Sequence, residues 1–369
     1  MEFCANVLKN DEKAIFEMRE LYQKYGYAQY KMSKFEEYDL YVRNKDFLVS
    51  DNIITFTDTD GKLMALKPDV TLSIIKNGTD KKDSVEKVYY NENVYRVSKG
   101  SRSFKEIMQV GLECIGDIDD YCIYEVIMLA AKSLENISAD YVLDISHLGI
   151  VSAVIDSLGV NDTVKSEILK CIGEKNTYGI SALCKEAGVN PENALKLVST
   201  YGSAKKVIPV LKSMQIENAE NAVSQLEKIV TALESGGYAV NIDFSVINDM
   251  NYYNGFVFKG FIKGISTGVL SGGQYDKLMR KMGRTSGAVG FAVYLDMLER
   301  LTNSDKKYDV DAVILYDEDC DINSINNAIK LLSADGKSVT AQRAIPEKLK
   351  YKQLLRLRER GVEIIENNA

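Results

Sequence analysis

Residues 86–116, EKVYYNENVYRVSKGSRSFKEIMQVGLECIG, limit the possible folds more than any other stretch. Two strand-like runs, 88–97 and 107–115, flank the polar turn Ser98-Lys99-Gly100-Ser101-Arg102-Ser103, which predicts an antiparallel pair. Along the second run Met108, Val110, Leu112 and Cys114 alternate with Gln109, Gly111 and Glu113. Because side chains on a strand alternate between faces, the first set predicts a core face and the second a polar floor. A glycine between an amide and a carboxylate leaves room for a small ligand against the backbone. On pattern alone, an ordinary half-buried strand is the simpler reading.

The surrounding chain reads as mixed α and β. A helix capped by Asp11 is predicted from the spacing of Ala14, Ile15, Met18, Leu21, Tyr22 and Tyr25, with Gly26 as its stop. Two short strands, 53–56 and 61–66, join through residues 57–60 and run into Lys67-Pro68-Asp69-Val70-Thr71 at a strand-to-helix junction. There Asp69 and Thr71 suit either a ligand amine or a helix cap. A helix over 121–134 follows, with a stripe of Ile123, Val126, Ile127 and Ala130, then a strand over 141–145 and the sole histidine, His147. His147 has no partners for a metal site, so a capping or packing role is expected.

From about residue 148 to 236 the chain becomes short helices separated by glycines, an all-helical insertion. Strand patterns return from Ala239. The tail predicts a strand (309–316), a helix (322–333), a strand (338–344), a helix (347–360) and a strand (362–366), which together form a small α/β unit. The division expected is a core over 1–305, interrupted by the insertion, and a tail domain over 306–369.

Several function classes drop out. The net charge of −7 argues against broad nucleic-acid binding. Cys4, Cys114, Cys122, Cys171, Cys184 and Cys320 are scattered without a CxxC pair, as expected of reduced thiols. No leader pattern or membrane-length apolar run is present, so a cytoplasmic location is expected. Asp317-x-Asp319-x-Asp321 imitates a calcium loop, but Ile322 replaces its glycine and Ala328 its bidentate glutamate. No phosphate-binding loop or nucleophile elbow occurs, and no cofactor or metal is expected.

The motifs, taken in order, resemble class II aminoacyl-tRNA synthetases. Arg96 followed by Gln109-x-Gly111-x-Glu113 resembles their second signature, and Pro68-Asp69-x-Thr71 resembles the element that holds the substrate ammonium. Gly26 to Tyr30 and Phe35-Glu36 resemble the first signature, with Ser33 at the proline position. The run 248–255 resembles Arg-Gly-Leu-Asp-Tyr-Tyr-Thr-Gly, specific to the histidine enzymes. Tyr252, Tyr253 and Gly255 match it, but Asn248 and Asn251 replace the arginine and the aspartate. Leu270 to Asp276 resembles a Gly-Gly-Gly-Arg-Tyr-Asp strand with Gln274 for arginine, and 290–297 resembles the third signature with Met297 for arginine.

The resemblance lies within the family of histidyl-tRNA synthetase and its non-catalytic relatives, the regulatory subunits of ATP phosphoribosyltransferase. It implies an α+β class II core, an antiparallel sheet with flanking helices, and a tail similar to the start of an anticodon-binding domain. It further implies that Asp69, Thr71, Arg96, Gln109, Glu113, Tyr252 and Tyr253 form a histidine site, regulatory or vestigial. Adenylation builds charge on phosphate oxygens, which positioned arginines stabilise, and losing one such donor costs on the order of 10² to 10³ in rate. Asn248 and Met297 cannot supply that stabilisation, so no catalytic residue is assigned.

The expected role is a regulatory subunit required by the short-form catalytic subunit at the first step of histidine biosynthesis. Such a subunit is expected to be a homodimer inside a larger hetero-oligomer, to relay feedback by L-histidine, and to bind neither tRNA nor membrane. The alternatives are a divergent histidyl-tRNA synthetase and a stand-alone histidine sensor.

Overall fold

The computed structural model describes residues 8–48, 53–79, 84–97, 103–247, 252–301, 307–358 and 361–368. The turn 98–102, together with Asn248 and Asn251, lies outside them. The chain packs as two compact units, residues 1–302 and 303–369.

The first unit opens with α1 (Asn10–Lys24), whose buried stripe is Ala14, Ile15, Met18 and Tyr22. Its start is held by Glu12, which accepts from the Lys9 N–H at 2.9 Å; Asp11, the expected cap, lies inside the first turn instead. Gly26, at φ +83°, turns the chain into β1 (Ala28–Gln29), a conformation that glycine adopts without strain. Then come β2 (Phe35–Glu37), α2 (Tyr38–Arg43), β3 (Thr55–Thr57), β4 (Leu63–Leu66) and α3 (Thr71–Asn77). Strands β2, β4 and β3 form a small antiparallel sheet.

The predicted strand pair is β5 (Val85–Val97) and β6 (Phe104–Gly116), antiparallel along its full length. α4 (Asp120–Ile137) follows, capped by Asp119, whose carboxylate accepts from the Cys122 N–H. The stripe Ile123, Val126, Ile127 and Ala130 is completely covered, each larger side chain contributing roughly 1.5–3 kcal/mol by burial. Next is β7 (Tyr141–His147).

The insertion is α5 (Leu148–Ser157), α6 (Asp162–Gly173), α7 (Thr177–Ala187), α8 (Glu192–Ser199), β8 (Tyr201–Gly202), α9 (Ala204–Ser213) and α10 (Glu220–Ser235). It is not wholly helical, because β8 pairs with the next core strand, β9 (Val240–Asp243), and so ties the insertion to the sheet edge. The unit closes with β10 (Phe256–Ile262), β11 (Leu270–Gln274), α11 (Asp276–Lys281), β12 (Gly287–Tyr294) and a 3-10 helix at Leu295–Leu301.

Among the described residues, the main sheet has nine strands in the order β1-β5-β6-β12-β11-β10-β7-β9-β8. It is antiparallel except at the β1–β5 and β7–β9 pairs. One face carries Val110, Leu112 and Cys114 into a large core shared with α1, α4 and the insertion. Opposite it, a smaller core built from α2, α3, α11 and Tyr90 packs along one margin, and the polar residues of β6 face the same way.

The second unit contains β13 (Val310–Leu315), α12 (Ile322–Ala334), β14 (Val339–Gln342), β15 (Tyr351–Arg358) and β16 (Gly361–Asn367), in the sheet order β14-β13-β15-β16. The helix expected over 347–360 is therefore a strand. Leu355 and Leu357 bury one face against Ala312, Ile314 and Ala328, and β15 pairs with a neighbour on each side. Strand pairing outweighs the helix propensity of a Lys-, Arg- and Leu-rich run. Asp321, from the discarded calcium pattern, caps α12 by accepting from the Ser324 N–H.

Candidate functional site

The open face of the sheet holds a cavity of about 410 Å³, and all seven residues of the expected site line it. Strand register explains the convergence. Glu113 pairs with Gly290, Gly111 with Ala292 and Tyr90, and Gln109 with Tyr294. Gly290 matters because a side chain there would overlap the Glu113 carboxylate. Gly111 serves a different purpose from the one its pattern suggested. The space above it is filled by the Tyr90 hydroxyl, so the glycine accommodates a neighbouring ring rather than a ligand.

Glu113 is 2% exposed, and both its oxygens accept hydrogen bonds, from Thr71 Oγ1 at 2.8 Å and from the Tyr275 hydroxyl at 2.5 Å. Burial pushes its pKa up to about 8; the two donors oppose the shift and the nearby Asp69 charge adds to it. Burial thus favours the protonated form of Glu113, while the two hydrogen bonds favour its carboxylate.

Asp69 sits just before α3 and accepts from the Leu72 N–H at 2.9 Å, so it acts as a helix cap while facing the cavity. Burial raises its pKa, against the Leu72 N–H and the Arg96 charge. Arg96 is held by a bond from its Nε to the Pro68 carbonyl at 2.9 Å.

Gln109 is 3% exposed, and its side-chain nitrogen has no hydrogen-bond partner among the described residues. A buried donor left unpaired costs roughly 1–3 kcal/mol, which a ligand acceptor would recover. Tyr252 and Tyr253 meet edge-on at 4.6 Å between ring centres, with Tyr275 and Phe47 each about one ring away from Tyr252. They form an aromatic wall beside the two carboxylates.

Sequence reasoning missed Tyr90, Lys259, Ser271, Tyr275 and Phe47 in the lining. A signal for Lys259 was available: Val257, Lys259 and Phe261 share one strand face, and a lysine there points at whatever the sheet binds.

Of the replaced family positions, Gln274 and Met297 are built into local packing. Gln274 accepts from the Phe256 N–H at 2.8 Å and fills the space above Gly255. Met297 takes a weak 3.6 Å bond from the Thr267 hydroxyl. His147 caps α5 through Nδ1, which accepts from the Gly149 N–H at 3.1 Å, while Nε2 lies 3.3 Å from Gln225. Burial lowers its pKa, so it stays a neutral structural group. Among the described residues no group of three or more His, Cys, Asp or Glu is placed to hold a metal ion, and no helix is long and apolar enough to cross a membrane.

The cavity thus offers carboxyl groups, an unpaired amide and aromatic rings, a set suited to an ammonium and a flat polar ring.

A family model described as histidyl-tRNA synthetase matches residues 6–298. The ATP phosphoribosyltransferase regulatory subunit of Alkaliphilus metalliredigens is 27% identical over 294 residues, covering 77% of this chain and 74% of that protein. A structure of an ATP phosphoribosyltransferase regulatory subunit/histidyl-tRNA synthetase from Bacillus halodurans aligns with a TM-score of 0.72 at 24% identity, over 93% of this chain and 90% of that one. A chain of the ATP phosphoribosyl transferase (HisG:HisZ) complex from Thermotoga maritima aligns with a TM-score of 0.62 at 18% identity, over 80% and 98%. The fold of this chain is the mixed α+β fold of those structures.

Proposed function

Because the chain belongs to the histidyl-tRNA synthetase family, we propose that it is the non-catalytic regulatory subunit of an ATP phosphoribosyltransferase. It would be required by the short-form catalytic subunit at the first step of histidine biosynthesis, in the cytoplasm, and its cavity would take L-histidine as the feedback signal.

The observation that carries this reading is the asymmetry of the cavity. The ammonium-and-ring side is intact, with Asp69, Thr71, Gln109, Glu113, Tyr252 and Tyr253 brought together. In the sequence, methionine stands at position 297 and asparagine at 248, where the matched family motifs carry arginines that would neutralise the transition state, while Arg96 is the motif arginine kept in the lining. A pocket that keeps its amino-acid groups without those donors is suited to sensing rather than adenylation. The relatives' names add the partner. Feedback then requires histidine to bind the active and inhibited assemblies with different affinity.

The three-stranded sheet β2-β4-β3 supports a homodimer within that assembly. Phe35 and Phe56 are exposed on one face of it, and their rings meet edge-on at 5.1 Å. A contiguous exposed apolar patch marks a contact surface. The net charge of −7 disfavours tRNA as a ligand.

Calorimetric titration with L-histidine across pH tests the sensing role. In the proposed complex Glu113 and the imidazole would share one proton. Free Glu113 keeps that proton up to about pH 8, and free imidazole is neutral above about pH 6.5. Between those limits, free and bound states hold equal numbers of protons and affinity is flat. Above about pH 8 the site has lost the proton the complex needs, and below about pH 6.5 the ligand carries one too many, so affinity falls at both ends. Glu113→Gln should remove the upper edge. Absence of heat at every pH would eliminate histidine sensing by this cavity.

A further inference from the structure

The cavity floor continues beyond the carboxylates. From Gly111 the register runs across the sheet through Ala292 and Ser271 to Lys259. Gly290 flanks this row, and Gly268, also in the lining, lies under the Lys259 side chain. The intervening residues are small or lack a side chain, so they form a trough with Asp69, Gln109 and Glu113 at one end and Lys259 at the other. Three inter-strand steps separate Gly111 from Lys259, about 14 Å between backbones. Side chains from both ends reach into that span, so a small ligand can touch Lys259 and the carboxyl groups together.

The two cations of the lining differ in their neighbours. Arg96 is fixed to the Pro68 carbonyl and its charge faces Asp69. Lys259 makes no hydrogen bond or ion pair with any described residue; its ammonium lies 5.6 Å from the Phe261 ring centre. Arg96 is thus set against Asp69, and Lys259 is left as the cation that an anionic group at its end of the trough would meet.

We infer that Lys259 is a specificity-determining residue that takes the ligand carboxylate, so that the cavity selects a zwitterionic α-amino acid lying along the trough. The ammonium and ring lie at the Asp69–Glu113 end, and the carboxylate forms a charge-assisted hydrogen bond with Lys259. Gly268 is part of the device, because a side chain there would displace the lysine stem. This inference rests on the histidine-sensing reading and adds to it which end of the ligand is read by which strand.

The test compares L-histidine with histamine, which lacks only the carboxylate, by calorimetry on the full chain. The unaltered protein should bind histidine about 10- to 100-fold tighter than histamine. Lys259→Met should remove that preference by weakening histidine to the level of histamine, with histamine affinity and Tm unchanged. Lys259→Arg should retain most of it. Histidine binding equally well to the unaltered and Lys259→Met proteins would overturn the assignment and leave the sensing role standing, as would equal weakening of both ligands. Failure of the unaltered protein to bind either ligand would overturn both.

Discussion

Asp69→Asn is expected to weaken L-histidine binding by about 100-fold, some 2.7 kcal/mol, in the range of a lost charge-assisted hydrogen bond. The substitution isolates charge from architecture. Asparagine is as good a helix cap as aspartate, so its side-chain oxygen can still accept from the Leu72 N–H and hold the start of α3. What disappears is the negative charge facing the ligand ammonium, and Arg96 then loses its counter-charge as well. Thermal unfolding should show Tm within about 2 °C of the unaltered protein, since the cap is kept and the neutral isostere avoids the cost of burying a charge. Unchanged histidine affinity would mean that Asp69 acts only as a cap. Asp69→Ala, by contrast, should lose both the ligand and about 1 kcal/mol of stability.

The largest effect on stability is expected at Lys67, next to Pro68 and outside the cavity lining. Lys67 is 1% exposed, with its ammonium 2.5 Å from Glu92, itself only 17% exposed. Removing one partner of a buried pair leaves the other charge uncompensated, typically at a cost of about 3–5 kcal/mol. Lys67→Met should therefore lower Tm on the order of 6–10 °C, at roughly 2 °C per kcal/mol for a unit of this size. The double variant Lys67→Met/Glu92→Leu should regain most of the loss, because it removes both charges together. A Tm unchanged in the single variant would show that water reaches the pair.

How far the molecule was legible depended on the range over which each signal acts. The β5–β6 pair, the α4 stripe and the cap at His147 follow from local periodicity and local chemistry, and the structure contains all three. The motifs assembled the seven lining residues because each motif fixes a side chain to a strand or a strand end. By contrast, the bond between Thr71 and Glu113, 42 residues apart in sequence, depends on how α3 lies over the sheet, and no pattern encodes it. Gly111 was misread for the same reason: its cross-strand neighbour Tyr90 decides what fills the space.

In the tail, Leu354 and Leu355 are adjacent and both buried, which suggests a helix. In β15 they lie on opposite faces of a strand paired on both sides, Leu355 in the core with Ala312 and Ile314 and Leu354 outside that core, so their adjacent burial comes from the sheet. Lys259 lies between the matched motif positions, so no family motif marks it, although its strand face is legible.

The measurement that tests the central claim most directly is the rate of ATP-dependent phosphoribosyl transfer by the host's short-form catalytic subunit, with and without an equimolar amount of this chain. A regulatory subunit required for activity should raise that rate at least about 10-fold, equivalent to some 1.4 kcal/mol of barrier, and added L-histidine should lower it again. An unchanged rate, accompanied by histidine-dependent ATP–pyrophosphate exchange from this chain alone, would contradict the account and identify a working synthetase.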